Sequence, residues 1–356
     1  MKHLLRLALV VALIFCSATA GHAKKQYRVY GIGFYNLENL FDTINNNGKY
    51  DLEFSPGGSR QWNGKKYWSK INKLARCIEA MKTDKTPNGP AILGISEIEN
   101  RSVIQDLVRA KAIAARGYQI IHHDSPDRRG VDVAMIYNPR MFQPVNVTNH
   151  TLRIESNPGL RTRDQLCVTG ILGTRKEGRM TGDTINVIVN HWPSRLGGQE
   201  QSSYLREGAA ALSAAIADSI WREHPDQAVI IMGDLNDDPN DKSCAKVLGA
   251  QKEKEGVQAH GWYNPWWKML DQGIGTLAYK GSWNLFDQII VSGNLVNPAE
   301  GYGLRYRDCR VNNFEFLITK EGPRQNSPLR TFSGGVWLDG YSDHFPTEIF
   351  VIQEQR

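Results

Sequence analysis

The chain lacks several features that would assign it to familiar protein classes. It has only five cysteines in 356 residues, and none forms the C-x-x-C pair of a zinc ribbon. It contains neither the G-x-x-x-x-G-K-[ST] loop that binds nucleotide phosphates nor the G-x-S-x-G elbow of serine hydrolases. Internal repeats, low-complexity stretches and Pro- or Ser-rich linkers are also missing. These absences indicate one globular domain and exclude the common nucleotide-binding and serine-nucleophile motifs.

The only long apolar run lies at the N-terminus. Lys2 and Arg6 precede an apolar centre at 7–15, and small residues then lead to Ala20 and Ala23. A positive start, a short apolar centre and small residues are typical of a secretory signal peptide cleaved after one of these alanines. The apolar run is too short for a transmembrane helix, which needs about 20 residues.

We therefore expect a signal peptide at 1–23 and a single domain at 24–356. The protein should be exported to the periplasm or the extracellular space, without stable insertion into the membrane. Cys16 could anchor a lipoprotein, but the bulky Phe15 stands where a small residue is usual, which disfavours this alternative.

Charge and cysteine content constrain the mature chain only weakly. Removing Lys2 and Arg6 lowers the formal net charge from +6 to +4, a mild basic bias that suits an anionic substrate without requiring one. Export permits disulfides, and four cysteines allow three full pairings. Spacing does not choose among the pairings, and buried free thiols are slightly favoured. The four are Cys77, Cys167, Cys244 and Cys309.

Short runs rich in Val, Ile, Tyr and Phe, bounded by turn residues, predict strands. They lie at 28–35, 91–96, 118–122, 131–137, 184–190, 227–232, 286–292 and 345–351. Apolar side chains at helical spacing predict helices at 68–82 and 200–222, and the turn Asp237-Asp238-Pro239 leads into a third predicted helix at 240–248. Because the helices do not alternate strictly with the strands, we expect mixed sheets with helices outside them.

Polar side chains stand repeatedly at the ends of these strands. The C-terminal ends carry Asn36, Glu97, His191 and Asp234, and the N-terminal ends carry Asp287 and His344. If all six meet at one site, the last two strands must run opposite to the first four. The sheets must then be mixed or antiparallel, which excludes an all-parallel Rossmann sheet.

Glu97 closes an apolar strand, where an unpaired carboxylate would be costly to bury. A hard cation such as Mg²⁺ would provide a partner, because it binds one or two carboxylates together with substrate phosphate. Asn36 could add a neutral oxygen ligand or hold a carboxylate in place, and Asp343 is a second acidic candidate. A helix cap, a turn or an ion pair remains an alternative role for each of them.

The histidines are candidates for proton transfer, since imidazole titrates near neutral pH. His344 has Asp287 as a candidate carboxylate partner, and His191 lies beside Asn190. Asp234 and Asn236 follow a strand and Gly233, and they could orient water and contact a phosphate; an Asx turn is the alternative.

Arginines and tryptophans supply further candidates. Arg195 and Arg129 lie in loops and could bind a phosphate bidentately, with Asn190 as a third phosphate contact. Four late tryptophans could stack on bases or sugars, although packing is favoured. These are Trp262, Trp266, Trp267 and Trp283.

Taken in order, the motifs resemble those of the endonuclease/exonuclease/phosphatase superfamily, and most closely its secreted bacterial nuclease branch. The segments concerned are FYNLENLFD, ISEIEN, RGVDVAMIY, VNHWPSR, GDLND, LFDQIIVS and SDHFP. The resemblance implies an α/β fold, a four-layer α/β/β/α sandwich with two packed mixed sheets. It also implies a hydrolase that depends on Mg²⁺, with Mn²⁺ or Ca²⁺ as alternatives.

The resemblance further implies roles for individual residues. Glu97 would be the main metal ligand, with Asn36 and Asp343 nearby. His344 would be the general base, oriented by Asp287. In the same pattern, Asp234 and Asn236 would position the nucleophile and the phosphate. His191 would contact phosphate or protonate the leaving group, but the sequence does not identify the carboxylate partner that this role requires.

We thus expect an exported monomeric phosphodiesterase that cleaves DNA or RNA by in-line attack of water. One alternative is the same chemistry on a lipid or small phosphoester, as in sphingomyelinases and inositol or sugar phosphatases. Another is a catalytically inactive binding protein, which the complete set of metal and base candidates disfavours.

Overall fold

A computed structural model describes residues 26–45, 49–279 and 281–354. The predicted signal peptide at 1–23 and Cys16 lie outside the described residues. The boundaries of the single domain, 24–356, remain a prediction. None of the helices in the described part of the chain combines the length and apolar character needed to cross a membrane.

Strands dominate the described residues. In chain order they are β1 (Tyr27–Leu40), β2 (Ile92–Ile98), β3 (Gln119–His122), β4 (Asp132–Tyr137), β5 (Phe142–His150), β6 (Gln165–Lys176), β7 (Arg179–His191), β8 (Ala228–Asp234), β9 (Trp262–Tyr263), β10 (Leu277–Tyr279), β11 (Ser282–Asn284), β12 (Asp287–Ser292), β13 (Leu304–Val311), β14 (Phe332–Ser333), β15 (Val336–Trp337) and β16 (Thr347–Glu354).

Helical segments connect and cover the strands. They are α1 (Lys49–Glu53), α2 (Gly64–Ala80), α3 (Arg101–Arg109), α4 (Ser203–Glu223), α5 (Trp266–Asp271) and α6 (Gly293–Val296). Asparagine side chains cap two of them: Asn63 accepts from the Lys66 amide before α2, and Asn100 accepts from the Ser102 and Val103 amides before α3.

Twelve strands form two mixed six-stranded sheets. The first has the order β13-β16-β1-β2-β4-β3, and the second has the order β5-β6-β7-β8-β12-β9. Strands β1 and β2 are parallel, as are β7 and β8, while their other neighbours in each sheet run antiparallel. Two small hairpins, β10–β11 and β14–β15, stand outside the sheets.

Apolar side chains of the described residues form three cores, one between each pair of adjacent layers. One lies between the sheets, where Tyr30, Ile32 and Phe34 of β1 meet side chains of the second sheet such as Val189 and Met232. A second core packs α2 and α3 on the first sheet, and a third packs α4 on the second sheet. Since successive side chains of a strand point to opposite faces, each sheet supplies two cores. The predicted four-layer α/β/β/α sandwich is confirmed.

The predicted strand directions are also confirmed. Strand β16 runs antiparallel to β1, and β12 runs antiparallel to β8. The C-terminal ends of β1, β2, β7 and β8 and the N-terminal ends of β12 and β16 therefore lie on one edge of the sandwich. This arrangement brings residues that are far apart in the sequence to a single cleft.

Some predicted elements need correction. The predicted helix at 240–248 is only a short π-helical segment, Ser243–Val247. The predicted strands do not include β5, β6 or β13. Strands β5 and β13 are partly exposed and polar-rich, whereas β6 is largely buried but Thr169 and Gly170 interrupt its apolar residues. A long β6–β7 hairpin turns at Glu177 and Gly178, both with positive φ.

The four cysteines of the expected mature chain are unpaired. Cys77, Cys167 and Cys244 are buried, and Cys309 is half-buried. Cys77 belongs to the core beneath α2, whereas Cys167 and Cys244 belong to the core beneath α4. Burial raises the pKa of the Cys77 and Cys167 thiols to about 12. The preference for buried free thiols agrees with this arrangement.

Packing between the sheets can be tested at Gly94. A Cβ there would lie 2.6 Å from the Met232 sulfur and 3.1 Å from a Val189 methyl carbon. We expect Gly94→Val to lower the free energy of unfolding by about 2 kcal/mol through overpacking, measured by urea denaturation. Gly159→Ala is the control, because a Cβ at Gly159 meets nothing within 4 Å. Equal effects of the two substitutions would contradict this packing.

Candidate active site

The carboxylate of Asp234, at the end of β8, lies where the two sheets meet. Its Oδ2 accepts a 3.0 Å hydrogen bond from the Asn36 side-chain nitrogen of the first sheet. The same oxygen lies 3.5 Å from His191 Nε2 and 3.9 Å from His344 Nε2. Burial and the nearby carboxylates of Asp287 and Glu97 raise the pKa of Asp234 to about 6, against the opposing effect of His344. The predicted strand-end residues thus converge on one carboxylate.

His344 forms a tight pair with Asp287. The His344 Nδ1 atom lies 2.7 Å from Asp287 Oδ2, and Asp287 stands opposite Asp234 in the β8–β12 register. Ser342 fixes the loop, because its hydroxyl accepts from the His344 amide and donates to the Asn36 carbonyl. Burial alone would lower the pKa of His344, but the carboxylates of Asp287 and Asp234 raise it well above its ordinary value. Nε2 therefore faces the cleft from a ring whose orientation is fixed.

Glu97 projects into the cleft from a β-bulge. The register of β2 with β4 pairs Ser96 and Ile98 but skips Glu97, and Glu97 has a left-handed φ of 57°. Its carboxylate accepts from the Asn39 amide at 2.9 Å and lies 3.1 Å from the Arg129 guanidinium. Burial would raise the pKa of Glu97, but Arg129 and His191 hold it well below its usual range. Glu97 is therefore an ionised carboxylate at the cleft.

His191 ends β7 between two carboxylates. Its Nε2 lies 3.5 Å from Asp234 Oδ2 and 3.9 Å from Glu97 Oε1. Its Nδ1 is buried without a hydrogen-bond partner among the described residues. Burial and the nearby Arg163 guanidinium lower the pKa of His191 well below its ordinary value. The carboxylates that the sequence could not identify thus lie near Nε2, outside normal hydrogen-bond distance.

A tight turn after β8 presents Asn236 beside Asp234. A Cβ on Gly233 would lie 2.2 Å from the Asn190 carbonyl oxygen, so only glycine fits the close approach of β7 and β8. The backbone amide of Asn236 donates to Asp234 Oδ1 at 3.0 Å, and the Asn236 side-chain nitrogen donates to the Trp192 carbonyl. The sequence left two roles open for Asp234 and Asn236, an Asx turn or a place at the site. The turn has Asx geometry and also holds Asn236 at the cleft, so both interpretations apply.

Two predicted phosphate contacts do not face the cleft. Asn190 is fully buried: its amide nitrogen donates to the Ile188 and Met232 carbonyls, and its oxygen accepts from Trp192. Arg195 lies under the turn, where it bonds the Asn236 carbonyl and three acidic side chains and covers the Phe286 ring. The Asn190 carboxamide and the Arg195 Nε and Nη2 atoms are engaged by protein groups, so the structure gives no support to a phosphate contact by either residue.

The other predicted ligands lie at the cleft with different partners. Arg129 contacts Glu97, as described, so its guanidinium faces the site. Asp343 pairs with Arg330 at 2.7 Å, and its Oδ1 lies 3.9 Å from His344 Nε2. The Asn36 side-chain oxygen accepts from the Glu38 backbone amide, and its side-chain nitrogen donates to Asp234. Of the two roles considered for Asn36, the structure favours holding a carboxylate.

Sequence reasoning missed a buried network beside Asp343. Glu38 accepts from the Thr331 amide at 2.6 Å, and its carboxylate lies 3.4 Å from Arg330 and 3.6 Å from Lys70. Burial and the charge of Asp343 raise the pKa of Glu38, while Lys70 and Arg330 oppose the rise. Glu38 could have been noticed, since it lies two residues after Asn36. Arg330 is in an irregular loop that gave no signal.

The donor set of the cleft fits a hard divalent cation. Five carboxylates are crowded around the cleft: Glu38, Glu97, Asp234, Asp287 and Asp343. The cationic groups near them in the described residues include Lys70, Arg129, Arg163, Arg330 and, when protonated, His344. Crowded carboxylates of this kind provide the oxygen ligands that Mg²⁺ and Ca²⁺ prefer.

The tryptophans separate into two groups. Trp262 and Trp266 are buried in core clusters, so packing is their role, and Trp267 is half-buried. Trp283 lies beside the cleft, with its ring stacked on Phe345 at 6.0 Å and 37% of its surface exposed. Of the four, only Trp283 remains a candidate for ligand stacking.

Comparison with known proteins gives one family and a set of similar folds. The model of the Endonuclease/Exonuclease/phosphatase family matches residues 31–353. No curated protein sequence matches the chain at a significant level. A solved structure of a family protein from Bacteroides thetaiotaomicron is 14% identical, with a TM-score of 0.56, and the match covers 93% of this chain and 100% of that one.

Two further structures have the same fold. A mannosyl-6-phosphatase from Bacteroides thetaiotaomicron is 16% identical, with a TM-score of 0.55 over 90% of this chain and 99% of its own. TDP2 from D. rerio, complexed with a single-strand DNA product, is 14% identical, with a TM-score of 0.52 over 91% of this chain and 98% of its own. At these identities the likeness concerns the fold.

The pair formed by His344 and Asp287 gives a direct test of the site's electrostatics. Replacing the Asp287 carboxylate by an amide removes the nearest negative charge, so the pKa of His344 should fall toward its ordinary value in Asp287→Asn. The pKa is measured by NMR titration of metal-free protein, with the resonance assigned by its loss in His344→Gln. An unchanged pKa in Asp287→Asn would contradict the pairing.

Proposed function

We propose a function from one premise: the chain belongs to the endonuclease/exonuclease/phosphatase family, whose members hydrolyse phosphoesters. The protein is a Mg²⁺-dependent phosphodiesterase of the secreted bacterial nuclease branch, and it hydrolyses DNA or RNA. The observation that carries this proposal is the His344–Asp287 pair, 2.7 Å long, aimed at a cleft crowded with carboxylates. A base fixed by a buried carboxylate beside hard oxygen ligands suits the attack of water on phosphorus.

The side chains divide the chemistry between them. His344 accepts the proton of the attacking water at Nε2, while Asp287 holds the ring through Nδ1 and stabilises the imidazolium that forms. Asp234 and Asn236 orient the water and the phosphate from the turn after β8. His191, whose lowered pKa keeps it neutral, contacts a phosphate oxygen beside Asp234. Arg129 supplies a fixed positive charge for the phosphate.

A divalent cation would be held by Glu97 and Asp343, with Asn36 holding Asp234 in place nearby. Such a cation would supply polarisation of a phosphoryl oxygen, and its charge would lower the pKa of His344 toward the range where a general base works. Glu97 is suited to this role because it remains ionised and because the bulge in β2 turns it toward the cleft.

Polynucleotides are the preferred substrate class in this proposal. The expected mature chain carries a formal charge of +4, a solved relative by fold is bound to a single-strand DNA product, and arginines border the cleft. The N-terminal pattern of a signal peptide supports export, and we retain a monomer as part of the proposal. A lipid or small phosphoester, as for the sugar phosphatase of the same fold, is the competing outcome of the test.

Activity is tested on a panel with Mg²⁺: plasmid DNA, single-stranded DNA, RNA, sphingomyelin, inositol phosphates and mannose 6-phosphate. We expect cleavage of a polynucleotide that stops with EDTA and returns with Mg²⁺, with Mn²⁺ and Ca²⁺ as comparison ions. Glu97→Ala should lose metal-dependent turnover, since it removes an ionised carboxylate ligand. Cleavage of only lipid or monoester substrates would contradict the nuclease assignment.

The general base is tested by His344→Ala. We expect kcat to fall by about 10²–10⁴-fold, the usual contribution of a positioned acid or base, while circular dichroism shows an intact fold. His224→Ala is the matched control, because His224 is exposed at the end of α4. Near-normal turnover in His344→Ala would remove the general-base assignment.

A further inference from the structure

Two small hairpins flank the catalytic cleft, and both are attached to it. The β10–β11 hairpin begins after Thr276, whose hydroxyl accepts from the Asp287 amide and whose carbonyl accepts from the Phe345 amide. The β14–β15 hairpin begins after Thr331, whose amide donates to the Glu38 carboxylate. The first hairpin is therefore held by Asp287 of the site and by Phe345, the neighbour of His344, and the second hairpin is held by Glu38.

A cavity of about 370 Å³ lies between the β14–β15 hairpin and the site. Glu38 and Arg330 line its inner end, and Arg60 and Phe332 line its wall, with the Arg60 guanidinium 5.2 Å from the centre of the Phe332 ring. Arg330 pairs with Asp343, and Arg60 lies 3.6 Å from Glu53. The cavity thus has a cationic and aromatic wall, and its inner end is next to the carboxylates of the site.

A second cavity, of about 410 Å³, lies beside the β10–β11 hairpin. Tyr279 and Trp283 line it, with 63% and 37% of their surfaces exposed. The Trp283 ring stacks on Phe345, which directly follows His344. An aromatic platform therefore rests on the residue that follows the proposed general base in the chain.

Arg324 joins the two cavities, because its side chain lines both of them. It lies in an exposed loop, and its Nε donates to the Ser333 hydroxyl at 3.3 Å. Within the described ranges no carboxylate lies within 4 Å of the Arg324 guanidinium, in contrast to Arg60 and Arg330. Its charge is therefore available to an anion that spans the two cavities.

We propose that Arg324 and Trp283 form a subsite for a nucleotide next to the scissile phosphodiester. Arg324 binds the neighbouring phosphate, and Trp283 stacks on the neighbouring base. A base can reach this platform only when it is unpaired, so the substrate is single-stranded or frayed nucleic acid. This inference rests on the proposed nuclease function and deepens it, because a phosphomonoester has no second phosphate for Arg324.

Binding is measured by fluorescence anisotropy of a labelled oligothymidylate with the His344→Ala protein and Mg²⁺, over a range of salt concentrations. Adding Arg324→Ala should lower the slope of log K against log salt by about 0.7, the value for one phosphate contact on a single strand. Arg179→Ala is the matched control with the same charge change, since Arg179 is exposed at the end of β7 remote from His191. Equal slopes for the two arginine variants would overturn the proposal.

The stacking partner is tested separately. Trp283→Ala should weaken oligothymidylate binding about tenfold, and Trp283→Phe should retain most of it, as alanine substitutions at base-stacking aromatics do. A thermal melt of each variant reports whether the stack on Phe345 is needed for folding. The Arg324 result stands by itself if Trp283→Ala does not fold. Equal binding by folded Trp283→Ala and Trp283→Phe would overturn the stacking assignment.

Turnover separates this inference from the proposed function. In the otherwise wild-type enzyme, Arg324→Ala should lower kcat/KM for the oligonucleotide about tenfold more than for bis(p-nitrophenyl) phosphate, which has one phosphate. Cleavage of both substrates with an unchanged ratio overturns the subsite and leaves the nuclease function standing. Hydrolysis of phosphomonoesters without binding or cleavage of oligonucleotides overturns both.

Discussion

The structure depends on burying one carboxylate, that of Asp234, where two sheets meet. An isolated buried charge is costly, and Asn36 from the first sheet and the Asn236 amide from its own turn offset that cost by donating hydrogen bonds to it. The register of β8 and β12 then sets Asp287 opposite Asp234, and Asp287 in turn fixes His344. The site is therefore a property of how the sheets pack, and neither sheet alone could form it.

The sequence predicted most of the architecture because polar residues at strand ends constrain the strand directions. If Asn36, Glu97 and Asp234 share one site with His344, the strand after His344 must run opposite to the strands before the other three, and only mixed sheets allow this. Sequence could not predict the partners of buried polar side chains. Asn190 and Arg195 have suitable chemistry for phosphate, but hydrogen bonds across β7, β8 and the following turn occupy them.

Other misses have a different physical origin. The strands β5 and β13 are partly exposed, so they lack the apolar runs that identify buried strands, and in the largely buried β6 the apolar run is interrupted by Thr169 and Gly170. Glu38 and Arg330 meet across nearly three hundred residues, and no local pattern reports such a contact. An ion pair between a strand and a distant loop leaves no mark on either sequence segment, so the sequence does not predict the arginine-rich border of the cleft.

The state of the cysteines also bears on how the protein would tolerate its surroundings. Thiol–disulfide exchange requires thiolate, and burial raises the pKa of Cys309 to about 11 and those of the more deeply buried thiols at least as far. The described fold uses no cross-link between its layers. Its stability should therefore be indifferent to whether the surrounding compartment is oxidising or reducing, and reductants in a buffer should leave the protein intact.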